Sequence, residues 1–272
     1  MSRKPKILLV NDDGAEAPGL WVLFRQIETI ADPVVVAPTC EQSARGHAIT
    51  VRRHMALQEL RHKGRTVGCQ LDGTAADCVK LALAHLYRDR ISMVISGINW
   101  GANVGHNILY SGTVGAALEG AMYGLPAMAV SVRDELEPPA HFDAAARVAR
   151  RLAKDILQHG LPAGVVLNVN VPNLPLRDIA GTAITRQGQE SYIDLFVISR
   201  SADGLRHCVN LGGQRLPSRS SEHLLDDLEL NRRLISITPL HFDLTSHSMV
   251  EMLRNRIARL RLTPGRGKGG KR

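Results

Sequence analysis

Aromatic residues and cysteine are both scarce in this chain. Phe, Trp and Tyr make up 4% of the 272 residues, which leaves few rings for the stacking platforms that bind single-stranded nucleic acid. The 4 cysteines are scattered and form no C-x-x-C pair. This spacing argues against a disulfide framework and against a cysteine-built zinc site, and it indicates reduced thiols.

Long apolar runs are missing as well. No uninterrupted apolar stretch reaches the length needed to cross a bilayer, and the apolar part of "MSRKPKILLV" is too short for a signal peptide. We therefore expect a cytoplasmic protein with no membrane association. The hydrophobic content of 44% and the charged content of 22% are typical of a globular chain.

Positive charge is in excess, since the formal net charge is +8. That excess raises the question of a nucleic-acid partner. However, the tail "GRGKGGKR" (265–272) supplies several of the positive charges with no acid to offset them. We expect this tail to be a disordered, solubilising segment, and the mildly basic remainder predicts no specific nucleic-acid binding.

Short apolar runs alternate with helical patterns through the first part of the chain. The runs read as buried strands are "KILLV" (6–10), "PVVVAP" (33–38), "SMVISG" (92–97), "PAMAVSV" (126–132) and "GVVLNVNVP" (164–172). Helical patterns are found at 20–31, 74–87 with Thr74 as N-cap, 111–124 and 142–160. Apolar strands separated by helices predict an α/β fold with a mainly parallel sheet flanked by helices.

The later part of the chain has a different composition and residue pattern. Residues 176–235 are polar, rich in turn residues and β-like, and they predict a β-rich arm that projects from the core. A strand at 234–240 and helical patterns at 221–231 and 246–262 accompany it. We expect a single α/β domain over 1–264, followed by the tail at 265–272.

Polar side chains follow three of the predicted strands. Asp12 and Asp13 come directly after the first strand, Ser43 lies in the loop after the second, and Asn99 lies in "GINWGANVGHN" (97–107). Ligands of an open parallel sheet bind beyond the carboxyl ends of its strands. Adjacent carboxylates repel each other, so the pair needs a counter-ion, a shared proton or full solvation. These four residues all offer oxygen ligands. They predict a site for magnesium, manganese or calcium.

Each of these residues also has a plain structural interpretation. Asp-Asp-Gly after a strand is a common turn or helix cap, Ser43 alone reads as a loop serine, and Asn99 alone reads as a turn residue. Their joint occurrence at three successive strand ends favours the metal site.

A further element lies at the start of the helix predicted at 111–124. Ser111, Gly112 and Thr113 are placed where free backbone N–H groups and the helix dipole favour an anion. A simple Ser/Thr cap is the alternative interpretation. Beside a metal site we interpret the turn as a phosphate cradle. We expect Glu119, in the same helix, to be a structural partner, and His47 and His106 to be ordinary loop residues.

Other phosphate chemistries are not supported by the motifs. The chain has no G-x-x-x-x-G-K-[ST] P-loop, and the glycines of the tail follow no strand. Asn11 stands where an aspartyl nucleophile would be required, and an amide cannot form an acyl phosphate.

Six segments together resemble the SurE family, the survival-protein nucleotidases. They are "VNDDG", "APTCEQSARGHAIT", "LDGTAADCVKLAL", "SGINWGANVGHNILYSGTVGAALEGA", "LNVNVP" and "ISITPLHFDLT". The resemblance runs from about residue 6 to about residue 246 in order and with ordinary spacing. By position it assigns the metal ligands to Asp12, Asp13, Ser43 and Asn99. It assigns the phosphate contacts to Asn103, Ser111, Gly112 and Thr113.

The resemblance also implies an activity and an assembly. It implies a Rossmann-like core and hydrolysis of nucleoside monophosphates, as in a 5′-nucleotidase, with one Mg²⁺ or Mn²⁺ per subunit and a side activity on short polyphosphate. Either Asp12 or Asp13 would accept the proton of the attacking water. It further implies homodimers or homotetramers that exchange the C-terminal arm. Base preference and 5′ or 3′ position stay open.

Two features leave room for another interpretation. The positive charge motivates a non-catalytic nucleotide or nucleic-acid binding protein as the alternative, although the low aromatic content speaks against stacking of bases. The chain also departs from the family at Ala75 and at 231–233, where the family usually has proline and a turn of glycine with an aromatic. The second departure leaves the exchange of the arm less defined than the chemistry.

Overall fold

The computed structural model describes residues 4–133, 141–201, 204–219, 224–258 and 260. The chain divides into two units, of which the first ends at Phe242 and the second begins at Asp243. The basic tail predicted at 265–272 lies outside the described residues, so its predicted disorder stays a prediction.

The first unit is built around one large sheet and a separate hairpin. Its strands are β1 (Lys6–Val10), β2 (Asp32–Pro38), β3 (Leu57–His62), β4 (Arg65–Leu71), β5 (Met93–Trp100), β6 (Ala127–Val132), β7 (Val165–Val171), β8 (Gly181–Ile184), β9 (Ser191–Arg200), β10 (Arg206–Leu216) and β11 (Leu234–His241). The sheet has the order β3-β4-β2-β1-β5-β6-β7-β11-β8, and β9 pairs with β10.

The predicted parallel sheet is confirmed over its centre. Strands β4, β2, β1, β5, β6 and β7 are parallel neighbours. At the two sides β3 runs antiparallel to β4, and β11 runs antiparallel to β7. The mixed edges leave the central arrangement of β2, β1 and β5 unchanged, and this is the part that positions the candidate site.

Helices cover both faces of the sheet, as the sequence predicts. The helices of the first unit are α1 (Pro18–Ile27), α2 (Ala75–Leu81), α3 (Gly112–Met122), α4 (Phe142–His159) and α5 (Asp226–Asn231). The second unit, described by itself, contains α6 (His247–Ala258). Ile7 and Leu9 pack on the face covered by α1 and α4, whereas Leu8 and Val10 pack on the face of α2 and α3. The last four positions of β1, residues 7–10, are therefore all apolar, because both faces of the strand are buried there.

Helix α2 shows how the local sequence sets an element's start. The hydroxyl of Thr74 accepts the N–H of Asp77 while the Asp77 carboxylate accepts the N–H of Thr74, which is a complete capping box. The predicted N-cap at Thr74 is confirmed. The helical pattern predicted to 87 ends as α-helix at Leu81 and continues as a π-helix over Ala82–Leu86.

The β-rich arm is present as the hairpin of β9 and β10. Its surface differs from the polar one that we expect from the sequence, because large apolar side chains along both strands are exposed: Ile193, Leu195, Phe196, Val197, Ile198, Val209 and Leu211. Among the described residues, no helix combines the length and the apolar character that a membrane span requires.

Candidate functional site

The residues predicted to bind a metal lie at or after the carboxyl ends of three adjacent strands. Because β2, β1 and β5 are neighbours in the sheet, the segments after them meet at one edge. The N–H of Gln42 donates to the carbonyl oxygen of Asp12 at 2.7 Å, and the N–H of Ala15 donates to that of Pro38 at 2.8 Å. The loop that carries Ser43 is thus held directly against the Asp12–Asp13 segment.

Asp12 is buried against the start of α3, with 4% of its surface exposed. The hydroxyl of Thr113 donates to Asp12 Oδ1. A Cβ added to Gly112 would lie 2.8 Å from Asp12 Oδ2, so only glycine allows this close approach. Asp12, Gly112 and Thr113, which the sequence assigns to the metal and phosphate sides of one site, are therefore in direct contact.

The two aspartates have no lysine or arginine as an ion-pair partner among the described residues. Burial raises the pKa of Asp13 to about 7, helped by the neighbouring charges of Asp12 and Glu41, and a hydrogen bond from the Trp100 backbone opposes this only in part. Burial also raises the pKa of Asp12, although hydrogen bonds from Thr113 oppose the rise. A divalent cation fits this pair because it removes the repulsion.

The other two predicted ligands border the same edge. Ser43 is exposed, and its hydroxyl donates to Glu41 Oε1 at 2.6 Å. Asn99 lies near the end of β5, half-buried, and its Nδ2 donates to the carbonyl of Gly101 at 2.7 Å. That bond uses the amide nitrogen and leaves the side-chain oxygen as the acceptor atom of Asn99. A carboxylate pair with a hydroxyl and an amide oxygen suits a hard cation.

No thiolate or imidazole cluster competes with this assignment. In the part of the chain that the structure describes, no group of three or more His, Cys, Asp or Glu side chains is placed to hold a metal ion. The predicted set does not depend on such a group, because only two of its four side chains are carboxylates. Its metal-binding role stays a prediction.

Asn103 is fixed by a buried ladder of amides. Its N–H donates to Asn170 Oδ1 at 2.8 Å, and its Nδ2 donates to Ser131 Oγ at 2.8 Å. Its carbonyl oxygen accepts Nδ2 of both Asn168 and Asn170. These bonds hold the loop after β5 on β6 and β7, so a predicted phosphate contact of Asn103 would be made by a rigid residue.

Ser111 takes the capping role that was the alternative interpretation. It is the N-cap of α3, and its hydroxyl accepts the N–H of Val114 at 3.0 Å. A hydroxyl that accepts can still donate its own proton. The cap and the predicted phosphate contact are therefore compatible, and the phosphate contact stays a prediction.

Glu119 is a structural partner, as the sequence predicts. His47 Nε2 lies 2.8 Å from Glu119 Oε2, and Lys80 Nζ donates to Oε1 at 3.0 Å. Burial favours a higher pKa for Glu119, but the hydrogen bonds from His47 and Lys80 hold it below its usual value. His47 is more than the loop residue expected from the sequence, since it ties the loop of Ser43 to α3.

Sequence reasoning misses a second set of buried acids behind the site. Asp226 is fully buried and accepts the N–H groups of Gly105 and Gly188. Burial raises its pKa to about 6, and it raises that of Glu190 to about 7. The N–H of His106 donates to the carbonyl of Glu190 at 2.9 Å. This network fastens the base of the hairpin to the segment that follows Asn103.

The fold belongs to the Rossmann-like class. In this class, ligands bind beyond the carboxyl ends of the central parallel strands, which is where the carboxylates of the candidate site lie. Within that class the family model described as survival protein SurE matches residues 7–194. The chain belongs to the SurE family.

Relatives and a solved structure agree with that assignment. The chain is 43% identical over 248 residues to the 5′-nucleotidase SurE of Syntrophobacter fumaroxidans, covering 91% of this chain and 98% of the relative. It is 41% identical over 250 residues to the 5′-nucleotidase SurE of Syntrophus aciditrophicus, covering 92% of each. The crystal structure of the SurE protein from Aquifex aeolicus aligns with a TM-score of 0.79 and 32% identity, over 93% of this chain and all of that one.

Proposed function

We propose that this protein is a 5′-nucleotidase, which releases phosphate from nucleoside monophosphates with the help of a divalent cation. The observation that carries the proposal is the pair of the buried Asp12 and the half-buried Asp13, whose charge has no ion-pair partner among the described residues. The similarity to relatives named 5′-nucleotidase SurE supports the substrate class. Hydrolysis of short polyphosphate at the same site is proposed as a side activity.

Asp12, Asp13, Ser43 and Asn99 would hold Mg²⁺ or Mn²⁺. When bound, such an ion polarises a phosphate oxygen and makes a neighbouring water more acidic. Thr113 and Gly112 fix the carboxylate of Asp12 at the start of α3. The rigid placement means that the site needs little reorganisation before reaction.

The start of α3 and Asn103 would receive the phosphate. The N-terminus of a helix carries a partial positive charge and suits an anion. Ser111 can donate its hydroxyl proton to a phosphate oxygen while it caps the helix. Asn103, held by Asn170 and Ser131, would offer its side-chain amide from a fixed position. Asp12 or Asp13 would take the proton of the attacking water.

We further propose that the protein works as a homodimer or homotetramer through the hairpin of β9 and β10. The apolar side chains exposed along the hairpin support this, because monomers rarely leave a large contiguous apolar patch in water. An isolated hairpin is also only marginally stable.

Release of phosphate from AMP tests the activity. We expect wild-type protein to release phosphate when Mn²⁺ is present and to stop when a chelator is added. Binding of AMP without any phosphate release, under all metals tried, would instead support the non-catalytic nucleotide-binding alternative.

A further inference from the structure

A cavity of about 490 Å³ opens at the amino ends of the central strands, and we call it the amino-edge cavity. Its lining comes mainly from the starts of β1, β2 and β4 and from the end of α1. Asp12 follows the other end of β1, and a strand of that length spans about 17 Å. The cavity is therefore separate from the candidate site. Its volume falls within the range of roughly 300–1,000 Å³ that is usual for small-molecule sites.

The cavity exists because two neighbouring strands separate at their starts. β2 and β4 pair from Val35 and Gly68 onward, whereas residues 32–34 and 65–67 precede this pairing and line the cavity. On its other side β4 pairs with β3 through an irregularity after Leu60, and such bulges bend a strand pair. A Cβ on Gly68 would lie 1.8 Å from the carbonyl oxygen of Val35, so the strands approach closely where the gap ends. The gap is therefore fixed by the sheet itself.

The inner wall of the cavity is apolar. Phe24, Ala31 and Val34 line it, and all three are buried. Tyr87 also lines the cavity. Burial raises the pKa of the Tyr87 hydroxyl, which therefore keeps its proton at neutral pH and can donate a hydrogen bond. This wall suits the apolar part of a ligand.

The polar lining is basic. Lys4, Lys6 and Arg65 line the cavity together with two acids, Glu28 and Asp32. The ion pair of Lys6 with Asp32 uses one of the three N–H groups of the ammonium. Arg65 Nη1 lies 3.7 Å from Glu28 Oε1, which is too far for a hydrogen bond, and the Arg65 side chain is 79% exposed. The guanidinium of Arg65 therefore has donors available for the two parallel hydrogen bonds that bind a carboxylate or a phosphate.

A smaller cavity of about 160 Å³ adjoins the first and adds positive charge. The two cavities share four lining residues, among them Arg65 and Glu28. The smaller one adds Arg25 and Lys63, and its described lining contains no further acid. Together the two cavities have five lysines and arginines but only two acids along their described lining. This excess of positive charge favours an anion.

We propose that the amino-edge cavity is a second ligand site, which binds a small organic anion with an apolar body and a terminal carboxylate or phosphate group. The apolar body lies against Phe24 and Val34, and the acidic group binds to Arg65. Because the cavity is at the opposite edge of the sheet from Asp12, its ligand binds without displacing the substrate. The site is independent of the proposed function, since its ligand is not the group that is hydrolysed.

Calorimetric titration of the full chain in the presence of a chelator tests the site. Phenylphosphonate and phenylacetate are the probes, because each joins a ring to one acidic group. Inorganic phosphate lacks the ring, and benzyl alcohol lacks the charge. We expect at least one of the two probes to bind, and to bind more tightly than inorganic phosphate and benzyl alcohol. Tighter binding of phenylphosphonate would assign a phosphate ester to the site, and tighter binding of phenylacetate would assign a carboxylic acid.

Arg65→Ala is expected to weaken binding of the tighter probe by about tenfold, because it removes hydrogen bonds to a charged group. Arg65→Lys keeps the charge and should lose less. Arg177→Ala is the matched control, since Arg177 is 85% exposed, lies 3.8 Å from Asp178 and is outside the cavity. Ser111→Ala changes the predicted phosphate contact of the candidate site and should leave the affinity for the probe at the wild-type level.

Four results would overturn the proposal. They are no binding of either probe, equal affinities for the tighter probe and for inorganic phosphate or benzyl alcohol, an unchanged affinity in Arg65→Ala, and a loss in Ser111→Ala as large as that in Arg65→Ala. The last result would place the probe at the candidate site. None of these readouts uses hydrolysis of AMP, so failure of the proposed function would leave the test of the cavity intact.

Discussion

At the scale of single residues, two acids have their pKa raised to about 7, the half-buried Asp13 and the buried Glu190. Removal from water is the main cause in both cases. Their surroundings differ, because Glu190 has Arg215 within 3.9 Å, whereas Asp13 stands next to the like charge of Asp12. The charge of Asp13 can therefore be stabilised by a bound cation. The charge of Glu190 instead lowers the free energy of unfolding above neutral pH.

Glu190 is expected to make stability depend on pH. Its carboxyl ionises near 4.5 in the unfolded chain and near about 7 in the folded protein. Between those values the folded state holds the extra proton, so stability falls as the pH rises through this window. The resulting loss in the free energy of unfolding is zero below this pH range and complete above it. It amounts to roughly 3 kcal/mol.

Glu190→Gln tests this, because the amide does not titrate. Urea unfolding at about pH 5 and about pH 8 should show a smaller loss of stability in Glu190→Gln than in the wild type. Glu16→Gln, a change of an exposed acid, should keep the wild-type dependence. The same pH dependence in Glu190→Gln as in the wild type would contradict the assignment.

The sequence predicts the residues of the candidate site better than it predicts the buried residues that hold them in place. Asp12, Asp13, Ser43 and Asn99 can be found because each follows a strand that is apolar throughout, and strand ends of a parallel sheet meet at one edge. These buried residues depend on contacts between distant parts of the chain. Asp226 accepts hydrogen bonds from Gly188, 38 positions away in the chain, and from Gly105, 121 positions away. No local sequence pattern predicts such bonds.

At the scale of elements, the capping box of α2 also anchors the loop after β2. The Thr74 hydroxyl donates to the carbonyl of Ala48 at 2.7 Å, and Asp77 Oδ1 accepts the N–H of Thr50 at 2.8 Å. This loop carries Ser43 and His47. One helix cap therefore fixes both the start of α2 and one side of the candidate site.

Thr74→Ala is expected to lower the free energy of unfolding by about 1–2 kcal/mol, because it removes the cap and the bond to Ala48. Chemical denaturation measures the loss. Thr29→Ala is the matched control, since the Thr29 hydroxyl makes an exposed bond to Gln26 and should contribute little. Equal effects of the two substitutions would show that the cap does not hold the loop.

The strands at the centre of the sheet are predictable and those at its edges are not. Strands β1, β2, β5, β6 and β7 are buried on both faces, so their apolar runs are visible in the sequence. The predicted bounds agree with the observed ones to within a few residues. Strands β3, β4 and β8 are more exposed and of mixed composition, and only pairing with a neighbour defines them.

At the scale of the whole molecule, the exposed apolar hairpin predicts association. Sedimentation at micromolar concentration is expected to show a dimer or tetramer, and the double variant Phe196→Ser, Ile198→Ser should shift it toward smaller species. Val51→Ser, a change of an exposed apolar residue in a loop, is the control and should leave the assembly unchanged. A wild-type protein that sediments only as monomer would contradict the prediction.

The basic tail is expected to take no part in activity or assembly. Its sequence "GRGKGGKR" offers no apolar side chain that could pack. Truncation after Pro264 should leave the rate of AMP hydrolysis and the sedimentation coefficient nearly unchanged. A several-fold loss of turnover would show that the tail reaches the site.

The most direct test of the central claim is Mn²⁺-dependent AMP hydrolysis by Asp13→Asn, measured together with the shift in Tm that Mn²⁺ causes. The amide keeps the shape of the side chain and removes one charge from the pair. Activity should fall by orders of magnitude and the metal-induced shift should shrink, while Tm without metal stays level or rises because the repulsion with Asp12 is relieved. Asp155→Asn, an exposed change on α4, should behave as wild type. Wild-type activity with an undiminished metal shift in Asp13→Asn would contradict the metal-site account.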